Sequence, residues 1–413
     1  MHAVSSAIRG RSAIRSSEFQ RLVDEYERAL VESGYKPKVV RFHLHAVVHL
    51  GVWLELEGGE LGRTDEKTLQ AFERHRSCCT CPAASRSRAR QVRSCVRRFL
   101  QHLRRRGVVQ VVAGRPKRAR LVEDFLHWMK VHRGVAESTL VSYGSYVEAL
   151  VGSLGSDPQS YTARALREFI EVRYRHYRST SLRMVMAAVR MFLRYLTAEG
   201  MCRPGLEHAL TPLANWSQQS LPQGLTPEGV QRVLDACPQT PQGIRDRAAL
   251  LLMVRLGLRA GDVSKLRFAD VRFETATIRV SGKGSREVEL PLPQDVGDAL
   301  LEYLREARPR VQSEFVFLRS IAPFHPFAMR QPGRGISHIA ATAMRRAGVE
   351  RPRSGSHVFR HTAACQMLRQ GVGLEDIAGV LRHRSVETTA IYAKVDRKLL
   401  SQIAQPWPET VSC

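Results

Sequence analysis

The amino-acid sequence predicts a mainly α protein in which two tandem helical bundles precede an α+β domain with a small antiparallel β-hairpin. Three observations support this fold. The N-terminal half of the 413-residue chain contains an internal repeat. Apolar residues recur at helical spacing through most of the chain. One pair of short alternating segments brackets a glycine-containing turn. The length alone suggests two or three domains.

The internal repeat divides the N-terminal half into two similar copies. The matching segments are 22–26 and 121–125, 69–73 and 166–170, and 96–103 and 189–196. Apolar spacing predicts about four amphipathic helices in each copy. After an N-terminal tail of residues 1–16, two tandem helical domains, 17–113 and 117–203, are the simplest explanation.

A linker and a third domain follow the repeat. Residues 204–224 are rich in proline and glycine and lack periodicity, as is typical of a linker. Thr226 before Pro227 indicates a helix start, so we place the third domain, with its C-terminal tail, at 225–413. Within it, 277–280 and 287–290 are predicted to pair as a hairpin.

Composition narrows the class of partner and the compartment. The chain has a formal net charge of +25, which favours nucleic acid but would also suit an anionic membrane or a ribosomal protein. Its most apolar run, 248–258, is too short to span a bilayer, and the N-terminus lacks an apolar signal core. The scattered cysteines fit a reducing cytosol. We therefore expect a cytoplasmic protein that has no membrane partner.

Six residues in the third domain have side chains suited to phosphodiester cleavage without a metal. They are, in chain order, Arg259, Lys283, His357, Arg360, His383 and Tyr392. The arginines offer planar donor forks to a phosphate. The histidines and the lysine can hold or move protons, and the tyrosine hydroxyl can attack phosphorus. Because Arg259 and the His357–Arg360 pair lie at predicted helix starts, free N–H groups there also favour an anion.

These patterns resemble the tyrosine recombinase (phage integrase) family. Its pattern is an Arg, a Lys in a β-turn, a His-x-x-Arg box, a second His, and a Tyr nine residues after that His, and here 392 − 383 = 9. The resemblance covers about 120–405 in outline and 244–396 with specific motifs. It implies two tandem helical-bundle DNA-binding domains and an α+β tyrosine-recombinase catalytic domain.

Three further residues follow or depart from the family pattern. Asp262 stands where many members have Glu, and we interpret it as an acceptor that orients Arg259 or a histidine. Arg382 stands where many members have Gly. His361 belongs to the pattern, and we interpret it as a packing or supporting residue.

The resemblance implies a site-specific recombinase of integrase or transposase type. Tyr392 would attack the scissile phosphate, leaving a 3′-phosphotyrosyl link that the partner strand's 5′ hydroxyl then reverses. His357 is expected to accept the tyrosine proton, His383 to donate to a phosphate oxygen, and Lys283 to protonate the leaving oxygen. The energy of the broken bond is kept in the covalent link, so neither a metal nor ATP nor another cofactor is expected.

The implied partners are double-stranded DNA with a specific recombination site and a tetramer of the chain around a Holliday junction. Other recombinases of the same element are further candidates. The second helical copy resembles the family's core-binding domain, while the first leaves DNA and protein partners open. Two alternatives stand beside this function: a catalytically silent accessory DNA-binding protein, and a topoisomerase with a similar active site.

An arginine stripe predicts a DNA-contacting helix in the first copy. At about 100° per residue, five arginines share one face and four apolar residues share another. The arginines are Arg86, Arg90, Arg93, Arg97 and Arg104, and the apolar residues are Val92, Val96, Phe99 and Leu103. We interpret the stripe as a phosphate-binding face, the alternative being a solvated basic helix. At the aligned positions of the second copy only Arg183 and Arg190 remain.

A short cluster, His75, Cys78, Cys79 and Cys81, offers four zinc ligands. Its spacing lacks the paired Cys-x-x-Cys knuckles of strong zinc motifs. We therefore favour a plain loop with free thiols, and no metal site is predicted.

Overall fold

The structure is a computed structural model of the whole chain. The residues it describes are 11–81, 89–109, 119–175, 177, 179–211, 224–281, 287–329, 332–349, 355–382, 389 and 391–392. They belong to two compact units, one of residues 1–48 with 217–413 and the other of residues 49–216. The fold is mostly helical with one small antiparallel sheet, as the sequence predicted.

The first sequence copy contains four α-helices among its described residues. They are α1 (Ser17–Glu32), α2 (Pro37–Leu56), α3 (Glu66–Cys78) and α4 (Ala89–Arg105). Side-chain caps fix two of the starts: Ser16 accepts from the Phe19 N–H at 3.2 Å, and Asp65 accepts from the Thr68 N–H at 2.8 Å. The predicted apolar face of α4 is buried in full, with Val96, Phe99 and Leu103 each 0% exposed.

Helix α2 has the length and mean hydropathy of a membrane span, which the sequence analysis did not anticipate. Over its most apolar window, 67% of the residues are buried inside the protein. Core helices pass the same test of length and composition, so α2 is weak evidence for a membrane contact.

The second copy repeats the four-helix order. Its helices are α5 (Arg120–Arg133), α6 (Glu137–Leu154), α7 (Ala163–Tyr174) and α8 (Ser179–Ala198). One apolar core joins them, with Phe125 and Phe192 packed edge to face at 5.2 Å between ring centroids. Gly134 ends α5 in the left-handed conformation that glycine tolerates best.

The C-terminal part is built around the buried helix α10. Its helices are α9 (Pro227–Asp235), α10 (Pro241–Arg255), α11 (Ala260–Lys265), α12 (Gln294–Glu302) with a π turn at Tyr303–Ala307, α13 (Arg334–Arg346), α14 (Ser356–Arg369) and α15 (Leu374–Leu381). Thr226 caps α9, as its sequence predicted, by accepting from the Gly229 N–H at 3.1 Å.

The sheet has three strands in the order β1 (Val271–Arg272), β2 (Thr277–Ser281) and β3 (Glu287–Pro291). Strands β2 and β3 pair antiparallel in the register Ile278 to Leu290, which is the predicted hairpin. Strand β1 adds a third member that the sequence analysis missed, because two residues are too few to show an alternating pattern.

Candidate active site

A pocket of about 340 Å³ lies where α11, α13 and α14 begin. Its lining includes Arg259, Asp262, Gly333, Arg334, His357 and Arg360. Helix starts present backbone N–H groups that have no partner within the helix, and they carry the positive end of the helix dipole. The structure thus brings four sequence-predicted residues to one place whose charged groups, Asp262 apart, are cationic. Such a pocket suits a phosphate more than a metal ion.

Gly333 allows two of these helix starts to meet. Its backbone is left-handed, with φ at +88°, and an added Cβ would lie 2.8 Å from the backbone nitrogen of Gly261. Ser337 and Ser356 then join α13 to α14 through hydroxyl groups 3.0 Å apart. The loop 321–334 carries no sequence motif that would predict a role, yet its end forms a wall of the pocket.

Arg360 is fixed deep in the pocket wall. Its side chain donates to the carbonyl oxygen of Gly257 at 2.7 Å and to that of Leu381, and the residue is only 5% exposed. Burial, helped by the neighbouring Arg259, lowers the pKa of Arg360 to about 10, so it stays charged at neutral pH. The guanidinium is therefore held in place before any substrate arrives.

Asp262 connects two arginines beside this group. Its carboxylate accepts from the backbone N–H of Arg259 at 3.1 Å and pairs with the guanidinium of Arg382 at 2.5 Å. Asp262 was expected to orient the side chain of Arg259, but it holds the backbone N–H of that residue. The guanidinium of Arg259 instead donates to the carbonyl of Arg382 at 3.2 Å. Burial lowers the pKa of Arg259.

The backbone of Arg382 explains why many family members have glycine at this position. It follows α15 with φ at +54° and ψ at +50°, the left-handed conformation that favours glycine. Its Nε and Nη1 atoms are buried without a hydrogen-bond partner among the described residues. The departure from the family pattern therefore brings a third guanidinium to the neighbourhood of Arg259 and Arg360.

Tyr392 is buried in a small apolar cluster with Cys365, Ile377 and Leu381, and 1% of its surface is exposed. Its hydroxyl lies 2.8 Å from Nδ1 of His361, on the same helix as Arg360. Burial raises the pKa of Tyr392 to about 12, although Arg360 works in the opposite direction. The sequence predicts His357 as the proton acceptor of this hydroxyl and a packing or supporting role for His361, whereas in the structure the contact is made by His361.

His357 lies on the pocket side of α14. Partial burial, with the nearby charges of Arg360 and Arg259, lowers its pKa, which favours the neutral ring. A neutral imidazole facing a phosphate pocket can donate one hydrogen bond to a phosphate oxygen. Lys283 and His383 lie outside the described residues, although β2 and β3 flank the turn that carries the lysine.

The arginine stripe is only partly within the described residues. Arg86 lies outside them, and for Arg90 only the helical backbone is described. Arg93 forms a two-pronged ion pair with Glu73 of α3, which lowers the pKa of that carboxylate. Arg97 is exposed and Arg104 half-buried. In the second copy, Arg183 is half-buried and Arg190 donates to the carbonyl of Leu210 at 2.6 Å.

Comparisons with known proteins match two segments of the chain. Residues 223–398 match the phage integrase family, and residues 122–200 match the phage integrase N-terminal SAM-like domain. An integrase/recombinase of Sinorhizobium fredii, y4rA, is 36% identical over 292 residues, which are 70% of each chain. Tyrosine recombinase XerD of Listeria innocua is 28% identical over 296 residues, covering 68% of this chain and 96% of the relative.

Solved structures share the fold at lower identity. The XerH site-specific recombinase bound to its palindromic difH substrate, in a post-cleavage complex, has a TM-score of 0.55 at 18% identity, over 70% of this chain and 85% of its own. A lambda integrase dimer bound to a COC′ core site has a TM-score of 0.53 at 17% identity, over 70% of this chain and 97% of its own.

Proposed function

The chain belongs to the phage integrase family of tyrosine recombinases, and from this premise we propose that Tyr392 is its nucleophile and that the pocket at Arg259 and Arg360 binds the scissile phosphate. The protein is a site-specific recombinase, an enzyme that cleaves and rejoins DNA. The observation that carries the assignment of residues is the position of α14. This one helix provides Arg360 and His357 to the pocket and His361 to the tyrosine hydroxyl.

The arginines stabilise the charge that develops on phosphorus. Each guanidinium has five N–H donors, and the protein itself uses two of those on Arg360 and one of those on Arg259. Within the part of the chain that the structure describes, the remaining donors have no partner in the protein, so they can bind the non-bridging oxygens of a pentacoordinate phosphorus. Preorganised donors of this kind contribute about 3 kcal/mol each to the transition state.

Each proton released in the reaction has an acceptor in this site. The oxygen of Tyr392 forms a bond to phosphorus while its proton passes to Nδ1 of His361, and the bond from phosphorus to the 5′ oxygen breaks. By the family resemblance, Lys283 protonates the leaving oxygen and His383 donates to a phosphate oxygen. His357, facing the pocket, donates to the second such oxygen. A free 5′ hydroxyl then attacks the phosphotyrosyl link and restores the tyrosine.

The substrate and the assembly follow from this chemistry. The net charge of +25 supports extensive phosphate contact with a double-stranded recombination site. Exchange of two strand pairs through a Holliday junction requires four nucleophiles, so the active assembly is a tetramer on DNA. We place this reaction in the cytoplasm, where bacterial DNA is found.

A nicked suicide substrate tests the nucleophile. DNA flanking the gene would supply the recombination site, and a nick near the cleavage position would let the short released strand diffuse away and trap the covalent complex. The wild type should form an adduct that maps to Tyr392, and Tyr392→Phe should form none. Tyr174→Phe is the matched control, because Tyr174 is 63% exposed on α7, outside the pocket, and should leave the adduct unchanged. An adduct that persists in Tyr392→Phe would refute the proposal.

A further inference from the structure

We infer that the first helical copy holds one structural zinc ion between α2 and the end of α3. Four side chains converge there: His49 from α2, His75 from α3, and Cys79 and Cys81 from the segment that follows α3. Each offers one ligand atom, and these four atoms all lie within 4.8 Å of one another. Two imidazoles and two thiolates are a ligand set that structural zinc sites commonly use.

The distances within the cluster agree with a tetrahedral ion. Zinc bonds of about 2.3 Å to sulfur and about 2.0 Å to nitrogen place two sulfur ligands roughly 3.8 Å apart and a sulfur–nitrogen pair roughly 3.6 Å apart. The sulfur atoms of Cys79 and Cys81 are 3.8 Å apart, and Cys79 lies 3.3 Å from Nε2 of His49. Two edges of the tetrahedron thus exist already, and the remaining pairs, all within 4.8 Å, differ from tetrahedral separations by at most about 1.5 Å.

An unsatisfied nitrogen supports the same interpretation. The Nε2 atom of His75 is buried and has no hydrogen-bond partner among the described residues. A buried polar atom normally has a partner, and a native exception requires an explanation such as an ion. A zinc ion at the centre of the cluster would take the lone pair of this nitrogen.

The surroundings also suit a metal site. The ring of His49 packs edge to face against Phe72 at 5.1 Å, and the ring of His75 lies 6.0 Å from Trp53. This apolar shell fixes the orientation of both imidazoles and limits water on one side. Cys79 and Cys81 are half-buried, so solvent reaches the cluster and an ion can enter it.

This arrangement corrects the cluster considered from the sequence. Cys78 is exposed, and its thiol points back along its own helix toward the carbonyl groups of Arg74 and His75 at 3.9 and 3.6 Å. His49 takes its place, although it lies 26 residues before His75 (75 − 49 = 26). A zinc ion here would fasten α2 to the end of α3 and stabilise the fold of the first copy.

Metal analysis of the full-length protein tests the proposal. Protein purified from zinc-supplemented cells, without a metal-affinity tag, should contain about one zinc per chain. Cys79→Ser and Cys81→Ser should each lose most of it. Cys78→Ser is the matched control, a neighbouring cysteine outside the cluster that should keep the full zinc content. Removal of the ion with a strong chelator should lower the first thermal transition by about 5 °C or more, and added zinc should restore it.

Cobalt provides a readout that separates ligation from folding. Chelator-treated wild-type protein should bind one Co²⁺ and show the intense visible bands of a tetrahedral site with a sulfur-to-metal charge-transfer band. His75→Cys should keep a shifted version of this spectrum, because a third thiolate replaces the imidazole. Equal zinc loss in Cys78→Ser and Cys79→Ser would overturn the proposal. So would wild-type protein that has no zinc, gives no cobalt spectrum, and instead contains a Cys79–Cys81 disulfide. None of these readouts depends on DNA cleavage.

Discussion

The contact between His361 and Tyr392 gives a quantitative prediction. With the pKa of the buried phenol raised to about 12, ionising it at pH 8 costs about 5 kcal/mol, since each pKa unit is worth about 1.4 kcal/mol. A base at hydrogen-bond distance avoids this cost by taking the proton during attack. His361→Phe keeps the ring that packs on Tyr392 at 5.6 Å but removes the acceptor. We therefore expect strand cleavage to slow by about 10²- to 10⁴-fold.

The pH dependence identifies the mechanism. In single-turnover cleavage of the nicked substrate, His361→Phe should become faster by nearly tenfold per pH unit from pH 7 to 9, because the phenolate must form before attack. The wild type should show a shallower profile. His361→Gln, which can hold the hydroxyl but not accept its proton, should behave like the phenylalanine variant. If glutamine restores the wild-type rate, His361 positions the tyrosine and does not act as its base.

Two controls decide between the histidines of this region. His338→Phe alters an exposed histidine on α13 and should leave cleavage unchanged. His357→Phe removes a group that faces the pocket, so we expect slower cleavage with an unaltered pH slope. The reasoning would be refuted if His361→Phe cleaved at the wild-type rate, or if the steep pH slope appeared in His357→Phe instead.

Three further predictions concern stability and DNA contact. The Arg382→Gly variant should be more stable to urea than Arg382→Ala by about 1 kcal/mol. Both variants lose the ion pair with Asp262, but only glycine accepts a φ of +54° freely. Equal stability of the two variants would contradict the left-handed backbone. Burial lowers the pKa of His43 to about 4, below the value of 6.5 that a histidine has in the unfolded chain. The contribution of the neutral His43 side chain to stability is therefore present above pH 6.5 and is lost as the pH falls toward 4. The free energy of unfolding should thus drop by about 2 kcal/mol more between pH 7 and pH 5 in the wild type than in His43→Leu, and parallel curves would exclude this histidine as the cause. Arg97→Glu should reduce the log–log salt slope of DNA binding by about 0.9 if α4 contacts a phosphate, whereas an unchanged slope would point to a protein partner.

The sequence predicted most of the helices and strands, because their residues repeat or alternate at a regular spacing. Helical periodicity gave four helices in each copy, and the Thr226-Pro227 start and the β2–β3 hairpin were found where expected. These features depend on residues close together in the chain. The order of the family motifs likewise identified Arg259, His357 and Arg360, which line one pocket.

The remaining features depend on contacts between distant residues. The approach of Gly333 to Gly261 joins two loops that no shared pattern connects. The choice of His361 over His357 for the tyrosine hydroxyl depends on the direction of side chains four residues apart on one helix, and helical spacing alone does not decide it. The place of His49 in the cluster with His75 required the packing of α2 on α3.

The two hydrogen bonds that Arg360 donates to backbone carbonyl groups affect which residue distinguishes active from inactive relatives. This guanidinium ties the turn at Gly257 to the end of α15 at Leu381, so its loss would leave two carbonyl groups unsatisfied in a buried site, at about 1–3 kcal/mol each. A descendant that abandons recombination and keeps only its affinity for DNA would still be selected to retain this arginine for folding. Among the described residues, the Tyr392 hydroxyl makes one hydrogen bond, to His361, and phenylalanine would fill the same space. The tyrosine, more than the arginine, therefore separates working enzymes from inactive relatives.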